Sequence, residues 1–231
     1  MNIRAVIHDF DGVLNDSFHE GLRRIRNICA TFEVNFTPVQ RKKLTQLWGI
    51  PGEKLLQQGL DVSPAMARRL YAAWERLDIA DPTPLVPGAK EHLFWLRRNG
   101  FCSGLLTSRN RPNIESIFEE MDLMREFTVI STKQESPYSK PDPRVFDYIL
   151  GEFKSLCGIT KEECIFVGDT PADMKAGHEV GIETILVQTG PYLLRHAAEL
   201  PIPLENVLNS IDDLPLWIEE HHNGEIKHPY I

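Results

Sequence analysis

Ile3-Arg-Ala-Val-Ile-His-Asp-Phe-Asp-Gly12 sets a short, β-rich apolar run directly before two carboxylates spaced two residues apart. The run reads as a buried strand whose C-terminal end carries acids. Residues two apart in an extended segment face the same side, so Asp9 and Asp11 project into one site. One carboxylate of such a pair can attack phosphorus and form an acyl phosphate. The other can protonate the departing oxygen and then activate water, if its surroundings raise its pKa. Gly12 suits a sharp turn out of the strand. The plainer alternative is that Asp11-Gly12 is an ordinary turn with no chemistry.

Outward from this strand, the next seventy residues carry almost no strand signal. Asp16 or Ser17 is expected to cap a helix running to about Phe32, with Leu22, Ile25, Ile28, Cys29 and Phe32 on one stripe. Further helical patterns cover Val39 to Trp48, Glu53 to Gln58 and Pro64 to about Leu77, and Pro51-Gly52 breaks the second from the third. Asp81-Pro-Thr-Pro-Leu-Val-Pro-Gly88 is the best linker. Beyond it strands and helices alternate. Strands are expected at Phe101 to Thr107, Phe127 to Ser131, Cys164 to Gly168 and Glu183 to Val187. Helices are expected at Ala89 to Arg98, Asn113 to Met121, Pro143 to Phe153, Ala172 to Val180 and Ile211 to His221. Such alternation implies a parallel sheet covered on both faces. The expected architecture is therefore α/β: a doubly wound, Rossmann-like parallel-sheet core from 1–14 and 84–231, with an all-helical cap inserted at 15–83. The tail from His221 onward is polar and expected to fray.

The bulk composition limits the function classes. The 231 residues are 42% hydrophobic and 25% charged, ordinary for a globular chain of this length. A formal net charge of −8 disfavours a nucleic-acid footprint, which needs clustered Lys and Arg. It leaves room for a small phosphorylated substrate held by a few local cations. Cys29, Cys102, Cys157 and Cys164 form no C-x-x-C pair and read as buried thiols in a reducing compartment. No signal peptide and no membrane span is evident, so the expected location is cytoplasmic.

Other strand ends carry groups suited to phosphate chemistry, and ligands of doubly wound sheets bind beyond those ends. Asp169 and Asp173 follow the strand Cys164 to Gly168. Both suit Mg²⁺, which takes a few carboxylates alongside water and phosphate oxygens. The alternative is helix capping, with negative charge in the first turn. Thr107 and Ser108 end another strand, where hydroxyls and free N–H groups can hold phosphate oxygens; a capping turn is the plainer alternative. Lys140 opens the loop before Pro143 and can neutralise a phosphoryl group in flight, although most lone lysines are solvated surface.

His8-Asp-Phe-Asp-Gly-Val-Leu14, Leu106-Thr-Ser108, Lys140-Pro-Asp-Pro143 and Gly168-Asp-Thr-Pro-Ala-Asp173 together resemble the four motifs of the haloacid dehalogenase-like hydrolase superfamily. They occur in the superfamily's order and span nearly the whole chain. The helical block between the first and second motifs is most similar to the phosphoglycolate phosphatase-like branch. The resemblance implies a Mg²⁺-dependent phosphatase in which Asp9 is the nucleophile and Asp11 the general acid/base. Asp9, the backbone oxygen of Asp11 and Asp169 would hold the metal, with Asp173 supporting it. Thr107, Ser108 and Lys140 would hold the phosphate, Ser108 being the expected hydroxyl. Trp48-Gly-Ile-Pro-Gly52 resembles that branch's cap loop, so Gly49, Ile50, Pro51 and Lys54 are candidate substrate contacts in a cap that closes over the site.

Two features depart from the pattern. His8 replaces the usual apolar residue, and Arg109 stands where a small residue or an amide is common; it is a further candidate substrate contact. Arg23, Arg24 and Arg26 form a basic run expected to face solvent. The expected partner is a small phosphorylated substrate, with no nucleic acid or membrane, and the protein itself is expected to be a monomer or homodimer. The nearest alternative is a beta-phosphoglucomutase-like phosphosugar mutase, although its usual cap arginine is not evident near Glu53 and Lys54. A dehalogenase would lack Asp11, and a phosphonate hydrolase would need a cap lysine forming a Schiff base, a possibility that Lys54 keeps open. A non-catalytic phospho-ligand-binding protein would be expected to have lost one of these groups.

Overall fold

Ala5–His8 forms strand β1, and all four of its residues are buried. It pairs in parallel with β2 (Cys102–Leu106) on one side and β4 (Cys164–Gly168) on the other. The computed structural model describes residues 1–192 and 200–223. Within them β3 (Val129–Ser131), β5 (Glu183–Val187) and β6 (Val207–Leu208) complete a parallel sheet in the order β3-β2-β1-β4-β5-β6. Chain order reverses direction at β1, so the switch point lies between β1 and β4.

The strands alternate between two cores. Val6, Ile165 and Val167 face a cluster with Leu93, Leu96, Ile114, Phe118 and Ile218. These come from α5 (Ala89–Arg98), α6 (Arg111–Met121) and α9 (Leu214–His221). Ala5, Ile7 and Phe166 face the opposite cluster, with Ile149, Phe153 and Ala176 from α7 (Asp147–Cys157) and α8 (Pro171–Val180). Burial on both faces explains why these strands read as continuous apolar runs.

The chain divides into two compact units, Met1–Asn15 with Leu85–Ile231, and Asp16–Pro84. The second holds α1 (Ser17–Thr31), α2 (Pro38–Leu47), α3 (Gly52–Leu60) and α4 (Pro64–Ala80). Its core gathers Leu22, Ile25, Ile28, Leu44, Leu56 and Leu70. Thr37 opens α2 with a capping box to Gln40.

Four local expectations change. The single helix expected from Pro143 begins as a 3-10 turn, Pro143–Phe146, in which the Asp142 side chain accepts from the Arg144 N–H, and only then becomes α7. The final helix likewise starts as a tight Ile211–Asp213 turn capped by Ser210, and Pro215, lacking an N–H, sits in the first turn of α9. Strand β6 spans two residues, too short to leave a pattern. The tail expected to fray from His221 is instead tied down at its start: His221 still belongs to α9, His222 Nδ1 accepts from the Ile3 N–H at 3.1 Å, and the Asn223 N–H donates to the Met1 carbonyl at 2.8 Å; the remainder lies outside the described residues.

Candidate active site

The C-terminal ends of β1 and β4 meet at the switch point and set the positions of the acids. The Asp9 N–H donates to the Val167 carbonyl at 2.9 Å, which ties the residue after β1 to the adjoining strand. Asp169 follows β4 directly and is 2% exposed. Asp173 sits in the first turn of α8, held by a capping box in which Thr170 Oγ1 accepts from the Asp173 N–H at 3.3 Å. Lys140 Nζ lies 3.0 Å from Asp9 Oδ1 and 2.6 Å from Asp173 Oδ1. The four side chains thus come together from three separate segments, and all are nearly sealed from water.

The charges are strongly coupled. Burial drives the Asp9 carboxyl up to about 7, against the pull of Lys140 and with a further push from Asp173 and Asp11. Burial pushes Asp169 well above the ordinary carboxylate range, and Asp173 and Asp9 push the same way. Burial by itself would depress Lys140, but Asp173 and Asp9 outweigh it and hold the ammonium above its ordinary value.

This donor set fits a hard divalent cation. Asp9, Asp169 and Asp173 each offer an oxygen within 4.8 Å of the others, and oxygen-only ligation suits Mg²⁺ or Ca²⁺. Asp169 Oδ1 is buried without a hydrogen-bond partner among the described residues, and such an atom is costly unless something pairs with it. Asp173 differs, since Oδ1 meets Lys140 and Oδ2 accepts from the Thr170 N–H at 3.0 Å. Its geometry suits a supporting role better than direct ligation.

Asp11 is forked by Arg109, with Nε to Oδ2 at 2.8 Å and Nη2 to Oδ1 at 2.7 Å. Asn15 Nδ2 donates to the same Oδ1 at 3.2 Å. Thr107 is buried, its N–H donating to the Ser131 carbonyl and its hydroxyl accepting from the Arg109 N–H at 3.2 Å. The exposed Ser108 makes no hydrogen bond among the described residues. The phosphate candidates therefore divide: Thr107 supports the turn, and Ser108 presents its hydroxyl to solvent.

Two neighbours of the site, Thr189 and Gly190, went unmarked in the sequence. Gly12 and Gly190 flank the Asp169 carboxylate so closely that a Cβ on either would fall within 2.1 or 1.9 Å of Oδ2. The Thr189 hydroxyl donates to the Gly12 carbonyl and ties the end of β5 to the turn after β1. His8 lies inside the core, with Nδ1 3.1 Å from the Gly104 carbonyl and Nε2 3.0 Å from His92 Nε2.

In the helical unit, Gly49, at φ 101°, with Ile50 and Pro51 forms the turn between α2 and α3, and Lys54 is exposed on α3. The basic run does not face solvent as a block. Arg24 is buried, pairing with Glu20 at 2.9 Å, Asp78 at 2.9 Å and Asp81 at 3.4 Å, because the facing α4 terminus supplies acids that hydropathy alone does not reveal.

Phosphoglycolate phosphatase from Pseudomonas putida is 24% identical over 220 residues, covering 91% of this chain and 77% of its own length. Phosphoglycolate phosphatase 1 from Pseudomonas aeruginosa is 26% identical over 201 residues, covering 81% of this chain and 70% of its own length. A crystal structure from Thermotoga maritima, under the provisional name beta-phosphoglucomutase, superposes with a TM-score of 0.73 at 19% identity, covering 94% of this chain and 99% of that one. At that identity the likeness shows the fold alone. The family model for haloacid dehalogenase-like hydrolases matches residues 6–187, from β1 to the end of β5. With the matched stretch holding every acid of the buried cluster, the chain belongs to the haloacid dehalogenase-like hydrolases.

Proposed function

We propose that this hydrolase is a Mg²⁺-dependent phosphatase that removes phosphate from a small phosphomonoester through an aspartyl phosphate on Asp9. The observation that carries the reading is the buried contact of Lys140 with Asp9 at 3.0 Å, set among Asp169 and Asp173. A buried nucleophile next to a fixed cation suits a reaction in which positioning and charge stabilisation do most of the work. The relatives named phosphoglycolate phosphatase support the same class and make phosphoglycolate the first substrate to try.

In this reading Asp9, Asp169 and the backbone oxygen of Asp11 hold the cation, with Asp173 behind them. When bound, the cation offsets the charge of the carboxylates and of the phosphoryl oxygens. Asp9 Oδ1 accepts from the Phe10 N–H at 2.7 Å and meets Lys140, so we assign the attack on phosphorus to Oδ2. The ester P–O bond breaks as the Asp9–phosphorus bond forms, and Asp11 gives its proton to the departing alcohol oxygen. Water then attacks phosphorus and yields a proton to Asp11, the Asp9–phosphorus bond opens, and phosphate leaves. Lys140 stays charged throughout and balances Asp9 and Asp173. Thr107 and Ser108 shape the turn that receives the phosphoryl oxygens. Among the described residues no helix is long and apolar enough to cross a membrane. Cys29 and Cys164 are buried, but Cys102 and Cys157, expected buried, are half-buried with their sulfurs 3.5 Å apart; thiols left free fit a reducing, cytoplasmic setting.

Phosphate release from a panel of small phosphomonoesters, with and without Mg²⁺, tests this reading. Release that needs Mg²⁺ and disappears in Asp9→Asn is the expected result. Isomerisation of a phosphosugar without net phosphate release would replace it with the mutase reading. Ligand binding without turnover would replace it with a non-catalytic one.

A further inference from the structure

Arg109 and Asp11 are the two charged side chains of the site that remain partly open to solvent, at 18% and 33% exposure. The buried acids around Asp9 already have Lys140, so Arg109 is not needed to neutralise them. Its backbone is anchored at both ends: its N–H donates to Thr107 Oγ1 at 3.2 Å, and its carbonyl accepts from the Lys133 N–H at 3.1 Å. Its guanidinium lies over the Phe10 ring, 5.3 Å from the centroid. The fork therefore points from a fixed base, across an aromatic platform, onto a carboxylate. Planar, two-point recognition of a carboxylate is what a guanidinium does best.

The group held in this fork is the proposed acid/base itself. While Asp11 Oδ1 accepts from Arg109 and Asn15, and Oδ2 accepts from Arg109, the carboxylate is engaged away from any ester oxygen. Turnover then requires Arg109 to let go, and the simplest exchange partner is another carboxylate of the same shape. The group attached to the departing oxygen is the part of the substrate that must lie beside Asp11, since Asp11 protonates that oxygen.

We propose that Arg109 is a specificity residue that binds a carboxylate on the leaving alcohol and, in doing so, releases Asp11 to act as acid/base. This rests on the phosphatase reading above. The preferred substrates are then phosphate monoesters of small hydroxy acids. Esters of uncharged alcohols bind without breaking the Arg109–Asp11 pair and react slowly.

The test compares 2-phosphoglycolate with ethyl phosphate, which differ in the carboxylate, using the full chain with Mg²⁺. Wild type is expected to favour the carboxylated ester in kcat/KM on the order of 100-fold, the scale of a charge-assisted, two-point hydrogen bond. Arg109→Gln is expected to lose that preference, with KM for phosphoglycolate rising and the rate on ethyl phosphate increasing because Asp11 is unlatched. Arg109→Lys, which keeps the charge without the fork, is expected to recover only part of the preference. An equal loss on both esters would overturn the proposal and assign Arg109 to the phosphoryl group or to folding, which the melting temperature of the variant separates. A wild type with no preference would overturn it as well. If neither ester turns over, the phosphatase reading is what fails. Calorimetric binding of the two esters to Asp9→Asn protein then still decides the Arg109 assignment, and equal affinity overturns it.

Discussion

His8 Nε2 lies 3.0 Å from His92 Nε2 in the core, one residue before Asp9. The geometry fixes both tautomers. The Gly104 carbonyl can only accept, so His8 Nδ1 carries the proton and donates to it. His8 Nε2 is then an acceptor, and His92 Nε2–H must be the donor. His92 Nδ1 is left bare and buried without a partner among the described residues. The pair joins β1 to α5 directly behind the strand end that carries the acids. Burial lowers His8 to about 4, against the raising effect of the Gly104 carbonyl, and holds His92 well below its ordinary value.

His8 is therefore expected to stay neutral in the folded protein down to about pH 4, and His92 to stay neutral well below its ordinary range. The unfolded chain takes up protons below its ordinary histidine pKa of about 6.5. It binds more protons than the folded state between those values, so stability falls as the pH drops from 6.5 towards 4. Melting curves across this window should show that loss. It should shrink in the double variant His8→Leu, His92→Leu, which removes both rings together and strands no single imidazole. An unchanged pH slope in the double variant would show that the pair is not the source.

The acid cluster carries the opposite sign. Asp9 and Asp169 hold protons in the fold above the pH at which they lose them in the unfolded chain. Metal-free protein should therefore lose stability from Asp9 as the pH rises from about 4 to about 7, and Asp169 adds a loss of the same sign as the pH rises. Asp9→Asn should be more stable than wild type at pH 8 without metal and should match it more closely at pH 4. Mg²⁺ should raise the melting temperature of wild type at pH 8 and do so less in Asp9→Asn, since the variant offers a weaker ligand. A melting temperature of wild type at pH 8 that does not respond to Mg²⁺ or Ca²⁺ would count against a metal site here.

The parallel sheet was readable because each strand is buried on both faces. Ala5-Val-Ile7 and Cys164-Ile-Phe-Val167 therefore leave unbroken apolar runs. The acids were readable because each follows such a run immediately, and strand ends are where a doubly wound sheet binds its ligands. Gly190 and Thr189 were not. They reach Asp169 and Gly12 only because β5 lies beside β4, two strands from β1, and a lone Thr-Gly after a strand is an ordinary turn signal. The His8 partner lies 84 positions along the chain, and no local pattern links it to α5. The Arg109–Asp11 fork spans 98 positions and depends on the adjacency of β1 and β2. The helical turn at Pro143–Phe146 shows a different limit. Periodicity marks a helix there, but the Asp142 cap and the proline decide how tightly it winds.

Removing Lys140 should destabilise as well as inactivate. Its ammonium is the shared partner of two buried carboxylates, Asp9 and Asp173. Lys140→Met leaves both without a cation, and breaking a buried pair in this way typically costs about 3–5 kcal/mol. Denaturant titration at pH 8 without metal should show a loss of that order, and less at pH 4, where Asp9 can take up a proton. Loss of a preorganised charge at the reacting group should lower kcat by about 10²–10³-fold. Full activity in Lys140→Met would remove it from the site.

Gly190→Ala gives a sharper test of the metal site, because it alters no polar group. A Cβ at this position would lie 1.9 Å from Asp169 Oδ2, well inside contact distance, and the nearest atoms all belong to the Asp169 side chain. No positive φ is found at Gly190, so the methyl group is excluded by space and not by backbone strain. The carboxylate cannot retreat far, since the backbone of Gly12 approaches it on another side, and a Cβ there would fall 2.1 Å from the same oxygen. The variant should therefore rotate or shift Asp169 and move the unpartnered Oδ1 away from Asp9. The expected outcome is a folded protein whose Mg²⁺ affinity, measured by calorimetry, falls about tenfold or more, with activity partly recovered at high Mg²⁺. For a second-position effect of this kind a 10- to 100-fold loss is typical. If affinity and activity stay at wild-type level while the protein folds, then Asp169 either tolerates the displacement or does not hold the cation.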